Sequence, residues 1–395
     1  MSQLFSGITE VVDVLQPIDP IHCVRTDTLR ATARRFVQAF PGDVLYAVKC
    51  NDNPVVLNAL NEGGIRHFDT ASITEIRDIR SRFPTAECHY MHPIKAPDAI
   101  AEAYYKHGVR SFVLDHEDEL TKILDVTHGA SDLTLVIRLE MPRGQALMDL
   151  SGKFGAPVTE AARLLKMCDA VAAKVGLTFH VGSQCVDTRA FGVAIDLVGE
   201  TLKLAGCDID VLDVGGGFPG QYTGSEPAFE DFCEEIRAGV KRIGLPATCR
   251  LQCEPGRALV WDALSVLCRV DLRRGASLYL NDGTYGSLSE LKYLGPYFPI
   301  TVVRPGGETA SDSRGDFQLF GPTCDSVDSM PGPHRVSDDV RAGDWLEISM
   351  MGAYSNALRT RFNGFNVERF VEIRDEEPEA DRVAWLKDYK VRRVA

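Results

Sequence analysis

A chain of 395 residues exceeds what one hydrophobic core usually organises, so two domains, or one large barrel with an appendage, are expected. Its 45% hydrophobic and 25% charged residues are ordinary for a soluble globular protein, and a formal net charge of −13 argues against nucleic acid or an anionic membrane as partner. No apolar run approaches the roughly 20 residues that cross a bilayer, and the first residues lack the order of a signal peptide, so a cytoplasmic location is expected. The eleven cysteines are scattered without a C-x-x-C pair and read as reduced thiols packed as small apolar side chains.

In chain order, the first twenty residues include VVDVL, which reads as a short strand of either domain. From about residue 44 to 254 one pattern repeats: an apolar, β-branched run, a polar or glycine break, then a stretch with helical periodicity. The runs are VLYAVK (44–49), IRHFDT (65–70), CHYMHP (88–93), RSFVLD (110–115), LTLVIR (133–138), LTFHVG (177–182), IDVLDVG (209–215) and RLQCEP (250–255). Between them lie helix-like stretches such as NPVVLNALNEGG, ITEIRDIRSRF, PDAIAEAYYKHG and EDELTKILDVT. Strands alternating with helices imply parallel βαβ units, and this number of them is that of a TIM-like (β/α)₈ barrel. A doubly wound sheet is the competitor, but no G-x-G-x-x-G follows the first run. After about residue 260, runs such as ALSVLCRVDL, ASLYLND, ITVVRP, DFQLFG and DWLEISM alternate with Gly, Pro, Asp and Ser breaks. That predicts a C-terminal all-β domain, with VRPGGETASDSRGD (303–316) as a solvated loop. The expected division is a barrel over 24–260 and a β-domain over 261–395 joined by residues 1–23.

The reactive side chains fall at one end of the runs. Lys49, Asp69, His92, Asp115, Arg138, His180, Gly215 and Glu254 each close a run, on the rim that carries chemistry in such barrels. Lys49 ends an apolar strand, where desolvation would lower its pKa and favour the neutral amine that forms imines; alone, a strand-end lysine is ordinarily just solvated. DVGGGFPG (213–220) follows the seventh run, and three glycines let backbone N–H groups approach a phosphate, although an isolated triplet is as often a plain tight turn. Arg257 lies three residues beyond Glu254 and is placed to add a charged donor to the same phosphate. Glu254 suits the nitrogen of a pyridine ring, whose protonation makes the ring an electron acceptor; the alternative is a salt bridge to Arg257. His180 suits stacking on that ring, and Ser183 suits the phosphate.

Together these residues resemble one family, the fold type III pyridoxal-phosphate decarboxylases of basic amino acids, the ornithine decarboxylase group, over nearly the whole chain. The resemblance implies an alanine racemase-like fold with pyridoxal 5′-phosphate bound through Lys49 of YAVKCND. FDTAS with the following TE places Asp69 and Glu75 on family motif positions, and Arg138 falls on the arginine of the fifth strand. HVGSQC implies His180 on the ring and Ser183 at the phosphate, DVGGGFPG implies Gly215, Gly216 and Gly217 as the phosphate loop, and EPGR carries Glu254, Gly256 and Arg257. NDGTYGSL, GPTCDSVD and MGAYSNA look like the remaining site motifs. By resemblance Cys324 protonates the substrate carbanion, Asp325 binds the distal amine, Tyr354 contacts the phosphate, and Lys153 pairs with Asp328 across a homodimer whose sites are shared.

One position departs from the pattern. Where eukaryotic-type ornithine decarboxylases carry a Tyr–Asp pair, this chain has Tyr293 and Leu294; Glu290 is the candidate replacement carboxylate, and a solvent-exposed glutamate is its plain alternative. The expected reaction is decarboxylation of L-ornithine to putrescine, as in polyamine biosynthesis, with L-lysine or a larger basic amino acid, admitted by Leu294, as the other candidates. Arginine is usually handled by much longer chains in this fold. A racemase and a non-catalytic regulator on the same fold compete with this reading. A metal-dependent hydrolase is disfavoured because His22, His67, His89, His92 and His180 include no H-x-H pair.

Overall fold

The computed structural model describes residues 4–374 apart from 145, 151 and 366–368. Eight parallel strands close into a barrel: Asp43–Ala47, His67–Thr70, Glu87–Tyr90, Ser111–Leu114, Thr134–Arg138, Lys174–Thr178, Val211–Asp213 and Arg250–Cys253, the last pairing with the first. The doubly wound alternative is thereby excluded. Each strand lies within one of the eight apolar runs or begins up to three residues before it, because strands buried on both faces need apolar residues at nearly every position. Helices cover the outside, and their starts follow from local chemistry. Pro54 opens Pro54–Glu62 while the Asn53 side chain accepts from Val55 N at 2.9 Å. Ser72 caps Ile73–Arg82 by accepting from Glu75 N, and the Glu75 carboxylate reaches back to Ala71 N at 2.5 Å.

Six of the eight strands end before their apolar runs do, and this matters for the rim. Lys49 sits in a 3₁₀ turn, Val48–Cys50, just past the first strand, and His180 lies two residues beyond the end of the sixth. Both side chains therefore belong to the mouth of the barrel, above an interior layer that includes the buried Met91, Val113 and Val136.

The remaining strands form a nine-stranded sheet. Its hub is Leu264–Arg274, which pairs antiparallel with Ile21–Val24, Ser277–Leu280 and Trp345–Ile348. Two parts of the sequence reading, VVDVL and the loop 303–316, are corrected here. VVDVL is not a strand: Ile8, Val11, Val12 and Leu15 recur at helical spacing, and Ile8–Leu15 is a helix that buries this stripe against Ile21, Val303 and Trp345. The second domain is the expected β-domain, with one short helix, Ser289–Leu294, following NDGTYGSL. The segment 303–316 is not solvated throughout, because Arg304 is buried and binds Asp344 through Nε at 2.9 Å and Asp339 through Nη1 at 3.0 Å.

Candidate active site

Four ionisable groups meet at the barrel mouth, each delivered by a different strand end. Lys49 Nζ donates to Asp69 Oδ2 at 2.5 Å, and Asp69, on the second strand, is buried, with Oδ1 lacking a hydrogen-bond partner among the described residues. Asp213, closing the seventh strand, accepts from Gly215 N at 2.8 Å through Oδ1. Its Oδ2 is buried without a hydrogen-bond partner among the described residues. Glu254, just past the eighth strand, is buried beside it. Burial pushes Glu254 well above the usual carboxylate range, and the like charges of Asp213 and Asp69 push the same way. Burial also raises Asp213, to about 6, against the lowering effect of the Gly215 N–H. Both carboxyls are thus pushed toward their protonated forms.

These carboxylates correct the expectation for Lys49. Desolvation alone would lower its pKa, as the sequence suggested, but Asp69, Glu254 and Tyr354 together outweigh it and raise the value. The amine is an ammonium in the free protein, and Asp69 is placed to take the proton it must lose before it can act as a nucleophile. Asp213 was missed at the sequence level, although it opens DVGGGFPG.

Around this cluster the other expected residues assemble. His180 Nδ1 accepts from Gly182 N at 3.0 Å, and burial, with Arg138 and Lys49 nearby, pushes the imidazole down to about 3, so the ring is neutral. Gly216 faces that ring: a Cβ there would stand 3.1 Å from His180 Nε2 and 2.7 Å from the Glu254 carbonyl oxygen. Gly217, with φ of 108°, has Gly182 O at 2.5 Å from where a Cβ would lie, and Gly215, with φ of 65°, has Phe179 O at 1.9 Å. The triplet is therefore glycine because the sixth and seventh loops touch there. Gly256 similarly lets the turn after the eighth strand pack on Cys50.

Arg257 is buried and forked. It donates to Tyr222 Oη at 3.1 Å and to Ser183 Oγ at 3.5 Å, lies 5.2 Å from the Tyr354 ring centroid, and is ion-paired with Glu290. Burial would weaken its charge, but Tyr222 and Glu290 hold it protonated. Tyr354 has a left-handed backbone, φ 59°, and donates its N–H to Cys50 O at 2.9 Å, which ties it to the turn carrying Lys49. Arg138 lies 5.6 Å from the Phe154 ring centroid, on the same rim.

Several expectations fail at the far side of the site. Glu290 is neither exposed nor open to a substrate amine, because its carboxylate is bonded to Arg257; the salt bridge considered for Glu254 is made by Glu290 instead. Leu294 packs in the apolar core of the β-domain with Leu288, Leu291 and Phe298, so it does not widen a pocket, while Tyr293 points outward and is 64% exposed. Asp328 is buried and accepts from Thr284 N at 2.8 Å and Thr323 Oγ1 at 2.7 Å, so it braces its own turn rather than presenting a carboxylate to Lys153 of another subunit. Cys324 is exposed and its Sγ lies 3.5 Å from Asn363 Oδ1; Asp325 accepts from Tyr285 Oη at 2.5 Å. Those hydrogen-bonding partners belong to the β-domain, not to the barrel rim of the same chain. Tyr285 and Asn363 were not singled out from the sequence, which carries no spacing signal for either.

An amine, a buried carboxyl pair, a neutral imidazole and a glycine cradle beside a buried guanidinium suit an aldehyde cofactor with a phosphate and a basic ring nitrogen. Asp69 Oδ1, without a partner among the described residues, and the Cβ-free surface of the triplet are the observations that make room for it. The site thus defines a pyridoxal phosphate enzyme built on a barrel with a β-domain. A family model described as pyridoxal-dependent decarboxylase, pyridoxal binding domain, matches residues 26–261. The chain is 31% identical over 358 residues to the lysine/ornithine decarboxylase of Selenomonas ruminantium, covering 88% of this chain and 87% of that protein. It is 34% identical over 357 residues to antizyme inhibitor 2 of Xenopus laevis, covering 84% and 76%. The crystal structure of the Paramecium bursaria Chlorella virus arginine decarboxylase bound to agmatine superposes with a TM-score of 0.80 at 26% identity, covering 93% of this chain and all of that one. The chain belongs to the pyridoxal-dependent decarboxylases, and its cofactor is pyridoxal phosphate.

The raised pKa of Asp213 carries a pH signature. A carboxyl whose folded value exceeds its unfolded one adds stability that is complete below the unfolded value, roughly 3.9, and is lost as pH rises through the folded value. For Asp213 that window runs upward to about 6. Asp213→Asn, which keeps an acceptor for Gly215, is expected to gain melting temperature relative to the wild type as the cofactor-free proteins are taken from pH 5 to pH 8. A difference that stays constant across that range would contradict the raised Asp213 carboxyl.

Proposed function

We propose that this enzyme removes the α-carboxylate of a basic L-amino acid, L-ornithine first and L-lysine second, giving the diamine and CO₂. The observation that carries the reading is the meeting of the Lys49 amine, bonded to Asp69, with the buried carboxyls of Asp213 and Glu254 at the barrel mouth, an anchoring amine beside acids that a basic ring nitrogen can face. Bound pyridoxal phosphate supplies the electron sink for the pair released when the Cα–carboxylate bond breaks. Lys49 anchors the cofactor, Asp69 manages the amine's proton, and the neutral His180 ring covers one face of the site. Ser183, Arg257, Tyr354 and the triplet glycines hold the phosphate end. The proton that replaces CO₂ at Cα comes from the thiol of Cys324, and the carboxylate of Asp325 pairs with the distal ammonium of the substrate.

Cys324 and Asp325 act on the barrel rim of a second copy of the chain, in a homodimer in the cytoplasm. Their own-chain partners, Asn363 and Tyr285, support this, since both sit with them on the β-domain. A carboxylate presented by Asp325 favours a distal cation over the distal carboxylate of diaminopimelate. With Glu290 committed to Arg257, the end of the pocket offers one acid rather than two. The argument from chain length against arginine loses its force, because the viral arginine decarboxylase is fully covered by this chain. The name antizyme inhibitor on one relative keeps a non-catalytic role in view. Retention of Lys49, His180, Glu254, Arg257 and Cys324 together favours catalysis.

Initial rates on ornithine, lysine and arginine, measured side by side with Lys49→Ala as the inactive control, test the substrate. Ornithine is expected to give the highest kcat/KM and lysine the next. Decarboxylation of none of the three would overturn the basic-substrate reading, and turnover by Lys49→Ala would overturn the assignment of the lysine.

Sharing of the site is tested by mixing Lys49→Ala with Cys324→Ala, each inactive or nearly so alone. Random exchange of subunits restores one intact site in half of the dimers, so about one quarter of wild-type activity is expected. No recovery after verified exchange would place both residues in one chain's site.

A further inference from the structure

The end of the barrel opposite Lys49 holds a second polar cluster. In the parallel register His67 pairs with Glu87 and Asp69 with His89. Side chains two apart on a strand share a face, so His67, Glu87 and His89 project to the same interior side as Asp69, one rung nearer the N-terminal end for the first two. His67 Nδ1 lies 3.3 Å from His89 Nε2 and 3.6 Å from Glu87 Oε2, and the three ligand atoms all fall within 4.8 Å of one another. Ligands about 2.0–2.1 Å from a tetrahedral zinc stand about 3.4 Å apart, which the two edges at His67 Nδ1 approach.

Two further observations point to a ligand there. The far nitrogen of His67, Nε2, faces Asp43 Oδ1 at 3.6 Å, and Asp43 is held by Arg250 at 2.8 Å. That places a carboxylate behind a ligating histidine, the partner that orients a metal-bound imidazole. Glu87 and His89 also line a cavity of about 630 Å³ at this end of the barrel, which leaves a fourth position open.

We propose that His67, Glu87 and His89 bind one zinc-type divalent ion at the N-terminal end of the barrel, with Asp43 orienting His67. The ion would staple the second and third strands beneath Asp69. Its role is structural, because it lies at the opposite end from the amine.

Holoenzyme stripped with a chelator and then titrated with Zn²⁺ or Co²⁺ tests this. The expected result is one equivalent bound, a higher melting temperature with zinc, and cobalt d–d bands of a nitrogen–oxygen site without a thiolate charge-transfer band. His89→Gln should abolish binding while its bound-cofactor absorbance stays that of the wild type. Asp43→Asn should weaken affinity about 10–100-fold. Absence of stoichiometric binding by the wild type, equal binding by His89→Gln, or a thiolate band would each overturn the site.

Discussion

Three carboxylates converge on one amine at the mouth of this barrel, and the rest of the structure is arranged around their surplus of negative charge. Asp69, Asp213 and Glu254 come from the second, seventh and eighth strands and face Lys49 from the first. Ionised together in a buried site they would repel by more than a single ammonium offsets. The protein answers by pushing the Glu254 and Asp213 carboxyls toward their protonated forms and by fixing Lys49 on Asp69 at 2.5 Å. A cofactor ring with a basic nitrogen and an aldehyde suits both devices.

The β-domain is tied to the rim by the same economy of charge. Arg257 is buried, so it needs an anion, and Glu290 of the helix Ser289–Leu294 supplies one from the other domain. Tyr354 completes the seam through the backbone of Cys50, next to Lys49. The buried guanidinium is thus neutralised where the two domains meet, and each domain alone would leave one of the two charges unpaired.

The barrel was legible because its strands are buried on both faces and therefore read as continuous apolar runs. The rim was legible because chemistry in such barrels concentrates at strand ends, which placed Lys49, Asp69, Arg138, His180 and Glu254 before any contact was known. What could not be read were the properties set by convergence. The charge on Lys49 depends on carboxylates 20 and 205 residues away in sequence. Burial of Glu290 depends on Arg257, and the core position of Leu294 on a helix too short to leave a periodic signal. VVDVL was misread because a five-residue apolar run does not distinguish a strand from a helix; the deciding residue, Ile8, lay just outside it. The pairing of His67 with His89 was invisible to a search for H-x-H, since the two meet across strands.

The central claim is that the one amine gripped by Asp69 is the one that carries the cofactor. Borohydride reduction of the protein as isolated with pyridoxal phosphate, followed by peptide mass spectrometry, tests it most directly. The account predicts a single pyridoxyl adduct on the peptide containing Lys49. An adduct on any other lysine, or none on Lys49, would contradict it.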